Sequence, residues 1–207
     1  MPEILRVGSI EATSDNARTI QRFTLQDLRR MGIPYRQATA HADSINPQLV
    51  EQQRSNLAEH PERYLGATAL SGGGLLGFVK LNTWSPFDEV SASSGLRKLE
   101  YGVRVRMMGN HMPEVTLGIF ALIADYTLHQ DLRRRILAKL VDGAVEQADA
   151  TLTGVVDTTG VAMRISLTPD DPARDILESR GFEPTGIKGK PIADVVQEIY
   201  SRQAVIS

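Results

Sequence analysis

An α/β fold, with one mixed sheet and helices on both of its faces, is what this sequence predicts. Three observations carry that prediction. Short apolar runs of β type are interleaved along the chain with amphipathic helical stretches, the order that builds a helix–sheet sandwich. Two of the β runs flank the triple glycine Gly72-Gly73-Gly74, a hairpin signal. An almost continuous apolar run, "EVTLGIFALIA" at 114–124, precedes the longest helical stretch, as a central strand covered on both faces does.

The elements follow in order. "ILRVGSI" (4–10) is a first strand. A helix opens at Thr13 or Ser14 and closes at Gly32 and Pro34, with Ile20, Phe23, Leu28 and Met31 on its apolar side. A second helix is capped by Asn46, carries Pro47 at its first position and ends before Pro61. The hairpin "RYLGATALSGGGLLGFVKLNTW" comes next, then a polar loop, "SPFDEVSASSGLRK". "LEYGVRVRMM" alternates, placing Tyr101, Val103, Val105 and Met107 on one face of a strand. In the long helix after the central strand, Leu132, Ile136, Leu137, Leu140, Val141, Ala144, Val145 and Ala148 form one stripe. Arg135, Lys139, Asp142 and Glu146 fall opposite. "VAMRISL" (161–167) is a half-buried strand, and a short helix follows it. The tail, "KPIADVVQEIYSRQAVIS", has apolar spacing that fits a helix and Val-Val and Ile-Tyr pairs that fit a strand.

Composition narrows the function. The chain has 207 residues, enough for one large domain. Its formal net charge is −2, with basic residues spread along the chain, so nucleic acid is not the expected partner. Cysteine is absent, which excludes disulfides, thiolate catalysis and cysteine metal sites. The four histidines show no metal-binding spacing. The N-terminal stretch lacks the pattern of a secretory signal, and no run reaches the roughly 18–20 apolar residues that span a bilayer. A cytoplasmic protein without a membrane partner is expected.

"DILESRGFEPTG" (175–186) reads as the last turns of a helix stopped by Gly181, because glycine takes the left-handed cap conformation freely. This stretch, the hairpin "HPERYLGATALSGGGLLGFVKL" and the tail "KPIADVVQEIYSR" together resemble the GNAT superfamily of N-acetyltransferases, over nearly the whole chain. Members of that family commonly end their last helix in Asn, two residues, Ala, three residues, Tyr, three residues, Gly-Phe. One large branch continues with Pro-Thr-Gly. Ala173, Gly181, Phe182 and "EPTG" match this pattern. Asp170 stands at the asparagine and Leu177 at the tyrosine. The branch's last strand carries a glutamate soon after a proline, which assigns the tail to a strand.

The resemblance implies a single domain, 1–207, around a splayed sheet, the strand at 115–124 diverging from that at 161–167. It implies acetyl transfer from acetyl-CoA, the co-substrate, to the amine of a small molecule or peptide, and it leaves a homodimer open. In the family the pantetheine arm pairs with backbone at the end of the central strand, here Leu122, Ile123 and Ala124. The pyrophosphate meets a helix N-terminus, whose free N–H groups and dipole favour anions, across a glycine-rich turn. Here the glycines are missing: Arg135 and Leu137 stand in their places and Leu132 at the leading Arg or Gln. Two readings compete. Arg133 and Arg134, with Arg135 beside them, bind the pyrophosphate through guanidinium groups, or the triple arginine is solvated surface and the cofactor site is lost. Arginines near a helix N-terminus oppose the dipole by up to about 1 kcal/mol, which an anion nearby would offset. Asp170 and Ala173 complete the expected cofactor contacts, although Asp170 also suits a helix N-cap. Glu114, at the entry to the central strand, is the candidate base, ahead of Glu100, Tyr101 and His111. Leucine cannot donate a proton, so Leu177 favours an alternative in which the domain has lost catalysis and serves as a binding or interaction module.

Overall fold

The computed structural model describes residues 4–30, 45–82, 97–98, 104–106, 114–152, 160–188 and 198–204. In chain order they form β1 (Leu5–Ser9), α1 (Ser14–Arg30), α2 (Pro47–Glu59), a 3-10 turn (Pro61–Arg63), β2 (Tyr64–Ala69) and β3 (Leu75–Asn82). There follow β4 (Arg97–Lys98), β5 (Arg104–Arg106), β6 (Glu114–Ala124), α3 (Gln130–Leu152), β7 (Gly160–Leu167), α4 (Arg174–Glu178), β8 (Glu183–Lys188) and β9 (Glu198–Ala204). Of the expected strand at 99–108 only β5 is described. Of the expected loop at 85–98 only Arg97 and Lys98 are, and they pair with Val105 and Arg104. Trp84, Phe87, Glu100, Tyr101 and His111 lie outside the described residues, as does 189–197.

Capping chemistry sets the helix ends. The Thr13 hydroxyl accepts from the Asn16 N–H at 3.2 Å, and Arg29 and Arg30 fall in the last turn of α1, where cations suit the dipole. The Asn46 side chain accepts from the Gln48 N–H at 2.9 Å, ahead of Pro47.

The sheet order is β1-β2-β3-β6-β7-β9-β8, with β5 also paired to β6 and β4 to β5. The β6/β7 pair is parallel and the other pairs are antiparallel. α3 is the crossover that a parallel pair requires. β3 and β5 pair with successive segments of β6, residues 118–124 and 114–116. The β3/β6 register slips between Lys80–Ala121 and Leu81–Ile119, so Phe120 is an extra residue, a β-bulge.

The bulge sorts the side chains of β6 between two cores. Ile123 joins Ile20, Phe23, Leu57, Tyr64 and Phe78 beneath α1 and α2. Ala124 joins Val79, Ile136, Leu140, Val141 and Met163 beneath α3, and Ile119, on the far side of the bulge, joins that core too. α3 lies close to the sheet because position 77 is glycine. A Cβ there would sit 2.7 Å from Ile136 Cγ2 and 2.8 Å from the Ile123 carbonyl oxygen. Among the described residues no helix is long and apolar enough to cross a membrane.

The stretch 175–186 forms as its residues dictate. Gly181 has φ +79°. The Phe182 N–H donates to Leu177 O, and the Gly181 N–H to Glu178 O, both at 3.0 Å. This is a Schellman motif, and its two apolar partners, Leu177 and Phe182, are buried in one core cluster. Beyond it, Gly186 has φ +72° where the β8/β9 register slips between Pro184 and Lys188, while the Thr185 hydroxyl donates to Ile199 O at 2.9 Å. "PTG" is therefore a bulge that turns β8 along β9, and the tail is a strand over Glu198–Ala204.

Gly181→Ala should destabilise the protein by about 1–2 kcal/mol, the cost of a left-handed non-glycine residue. Gly74→Ala, in open space without a positive φ, should change stability by less than about 0.5 kcal/mol. Urea midpoints compare the two, and equal effects would refute the cap assignment.

Candidate functional site at the fork of the central strands

The parallel ladder between β6 and β7 ends at Ile119–Ile165. β6 continues to Ala124 and β7 to Leu167. On its other edge β6 stays paired with β3 as far as Gly77–Ala124, and the Asp125 N–H donates to Leu76 O at 2.9 Å. The two parallel strands thus fork while β6 remains fixed on one side. Backbone groups alternate sides along a strand. With Asp125 turned to β3, Ile123 turns there too, and Leu122 and Ala124 direct N–H and C=O toward the fork. Two of the three expected backbone positions therefore face the groove, and Ile123 does not.

The turn from β6 into α3 is built without glycine. The Asp125 carboxylate accepts from the Thr127 N–H at 2.9 Å and from the Thr127 hydroxyl at 2.8 Å, an Asx turn. Its other oxygen lies 3.8 Å from Arg22 Nη2. His129 O accepts the first helical bond, from the Arg133 N–H at 3.0 Å. Exposed Asp131 sits in the first turn, its carboxylate 3.7 Å from His129 Nδ1.

The three arginines diverge. Arg133 is half-buried and its guanidinium lies 4.1 Å from the centroid of the Tyr126 ring, a cation–π contact. Its Nε is buried and has no hydrogen-bond partner among the described residues. Arg134 is exposed and reaches Asp175 of α4 at 3.8 Å. Arg135 is exposed, and Leu137, at the second glycine place, is buried in the α3 core.

Tyr126 begins a connected polar group that the sequence did not reveal. Its hydroxyl donates to Asp27 Oδ1 at 2.6 Å. Arg30 Nε donates to the same oxygen at 3.1 Å, and Arg30 Nη2 lies 3.5 Å from Asp171 Oδ2. The Ala173 N–H donates to Asp171 Oδ1 at 2.9 Å. Burial pushes the Tyr126 phenol well above its usual range, and the Asp27 carboxylate adds to the effect. Burial also raises the Asp171 carboxyl, against the Ala173 N–H and Arg30, which lower it. For Arg30, burial lowers the pKa, but Tyr126, Asp27 and Asp171 together outweigh it.

The remaining expected residues are placed as follows. Asp170 is exposed in the turn after β7 and does not cap α4; Ala173 occupies the cap position, and its N–H is taken by neighbouring Asp171. An i,i+2 Asx bond needs the carboxylate one residue later than the sequence count put it. Ala173 itself is buried. Glu114 pairs with Gly160 and Arg106 at the far end of β6, five residues before Ile119, or about 17 Å of extended chain. Leu177 is fully buried. Asp27 and Arg30 carried an i,i+3 charge pairing as their sequence signal, and nothing in the sequence linked them to Tyr126 or Asp171.

A mixed sheet whose parallel pair forks beside a helix N-terminus is the fold of the GNAT-family acetyltransferases. The chain is similar in structure to an acetyltransferase (TM-score 0.57, 18% identity, covering 98% of this chain and 100% of that one). It is similar to a chain of the NatC complex bound to Gag peptide and CoA (TM-score 0.57, 12% identity, 97% and 99%). It is also similar to the ribosomal-protein-S5-alanine acetyltransferase from Vibrio fischeri (TM-score 0.55, 14% identity, 100% and 96%). No protein-family model matches the sequence, and no curated protein does.

Tyr126→Phe should cost about 1.5–3 kcal/mol, the worth of a hydrogen bond to a charged group. It should also change the alkaline limb of stability. A phenol whose folded pKa is raised contributes stability that is complete below about 10 and is lost at higher pH, as the unfolded chain ionises first. The variant should lose less stability above that pH, though not all of the decline, because Tyr200 is raised by burial as well. Urea unfolding across alkaline pH measures this.

Proposed function

We propose that this chain is a single-domain acyl-CoA-dependent N-acyltransferase that moves an acetyl group from acetyl-CoA to the amine of a small molecule or peptide. The fork between β6 and β7, with the Leu122 and Ala124 backbone turned into it, carries this reading. Among the structural neighbours, one was solved with a peptide and CoA.

The fit to acetyl-CoA has two unequal parts. An amide-bearing pantetheine arm suits main-chain N–H and C=O groups left unpaired by a forked sheet. For the pyrophosphate, Asp131 stands in the first turn of α3 and opposes an anion there. Binding then falls to side chains: Arg133, whose buried Nε has a hydrogen bond to give, and Arg134 beside it. Acetyl-CoA supplies the activated acyl carbon. The chain's own contributions are to align the thioester along β6, to exclude water with the half-buried ring of Tyr126, and to present a neutral amine. Leu177 cannot protonate the departing thiolate, but a thiol with a pKa of about 8.5 leaves without full protonation. Glu114 is too far back on β6 to take a proton directly from an amine attacking at the fork, so amine deprotonation falls to solvent or to a residue nearer the fork.

A specific observation favours the second reading, a domain that binds without catalysing. The place of the family's tyrosine is filled by a leucine locked into the core.

Calorimetric titration with CoA and acetyl-CoA decides between them, followed by an acetylation assay on an amine panel. Binding is expected, and Arg133→Ala with Arg134→Ala should weaken it about tenfold or more and reduce its salt dependence. No heat and no thermal shift at millimolar CoA would refute the transferase. Binding without turnover would establish the second reading.

A further inference from the structure

We propose that Arg30 is a positioning residue: held to Asp171 after β7 and, through Asp27, to Tyr126 after β6, it fixes the width of the fork between the two strands. Beyond Ile119–Ile165 no ladder joins the two strands. Tyr126 follows the end of β6 and Asp171 follows the end of β7. α1 lies against the same end of the sheet and supplies Asp27 and Arg30. The chain of contacts runs from Tyr126 to Asp27 at 2.6 Å, from Asp27 to Arg30 at 3.1 Å, and from Arg30 to Asp171 at 3.5 Å. It spans from one arm of the fork to the other.

Three features make this a bracket rather than a surface charge pair. The side chains of Arg30, Asp27 and Asp171 are only 25%, 19% and 20% exposed, so water screens them little. The guanidinium is a rigid planar fork of donors, and its Nε and Nη2 reach two different carboxylates. Each end is anchored locally: Asp171 through the Ala173 N–H, and Tyr126 by the Arg133 guanidinium stacked on its ring. Half-buried ion pairs contribute little net stability, because desolvation offsets the attraction. Geometry is what such a network supplies, and here the geometry is a separation between two unpaired strands.

The chain has no native cysteine, so two introduced cysteines can be labelled without background. His129→Cys, after β6, and Asp170→Cys, after β7, are both exposed positions. Spin labels there report the separation of the arms by pulsed dipolar spectroscopy. With Arg30 present a single narrow distance distribution is expected. Arg30→Ala should broaden or shift it, and Arg30→Lys should not restore it, since an ammonium lacks the planar fork. Asp171→Asn, which keeps an oxygen for the Ala173 N–H but removes the ion pair, should broaden it in a protein that still folds. Distributions in folded Arg30→Ala and Asp171→Asn that superpose on the parent would overturn the proposal. If Arg30→Ala does not fold, Asp171→Asn decides alone.

A consequence rests on the transferase reading: Arg30→Ala should weaken CoA binding about tenfold, because the arm of CoA would lie in the fork. The distance measurement needs no cofactor. Failure to bind CoA at all would therefore remove the transferase reading and still leave the bracket tested.

Discussion

β6 pairs with β3 to its last residue and with β7 only to its middle. The candidate site depends on that asymmetry. A fully paired sheet would satisfy every backbone group internally and leave a ligand no main chain to bind. The bulge at Phe120 falls where the parallel ladder stops. Bulges bend a strand and increase its local twist, so the extra residue and the departure of β6 from β7 belong to one distortion. The same bulge keeps apolar side chains on the correct faces on either side of it, so the fork disrupts neither core.

The position of α3 follows from close packing against this region. Gly77 admits Ile136 to within a distance that any Cβ would forbid. The helix start is thereby held beside the end of β6, and Arg133 is brought over Tyr126. At the two glycine places of the acetyltransferase pattern this chain has exposed Arg135 and buried Leu137, and an Asx turn at Asp125 shapes the chain ahead of α3. The turn keeps its shape by a different chemistry, the Asp125 carboxylate holding the Thr127 N–H and hydroxyl.

Charges at the fork are paired within a small volume. Arg30 answers Asp27 and Asp171, and Arg22 answers Asp125. Burial raises both the Tyr126 phenol and the Asp171 carboxyl. Residues under that penalty persist only where surrounding packing holds them, and α1 supplies it by burying Ile20 and Phe23 against the sheet.

Much of the architecture was legible locally. The triple glycine announced the hairpin, Asn46-Pro47 the start of α2, the period of α3 its buried face, and Gly181-Phe182 the cap of α4. Each is a short-range signal, decided by backbone conformation or by a repeat within a few turns. The site was legible only in part. Leu122, Ile123 and Ala124 were named from the resemblance as one strand end, while the turn of Ile123 toward β3 required knowing which neighbour claimed it. The carboxylate that holds the N–H of Ala173 at the start of α4, Asp171 rather than Asp170, depended on where the helix began. The group of Tyr126, Asp27, Arg30 and Asp171 had no sequence signature, since its members come from three distant segments and each looks like ordinary surface chemistry. The sequence by itself determined most of the elements, the glycine and asparagine caps, and the apolar faces that pack them. Tertiary structure alone decided where the ladder stops and which charges meet across the gap, because both are set by contacts between segments far apart in the chain.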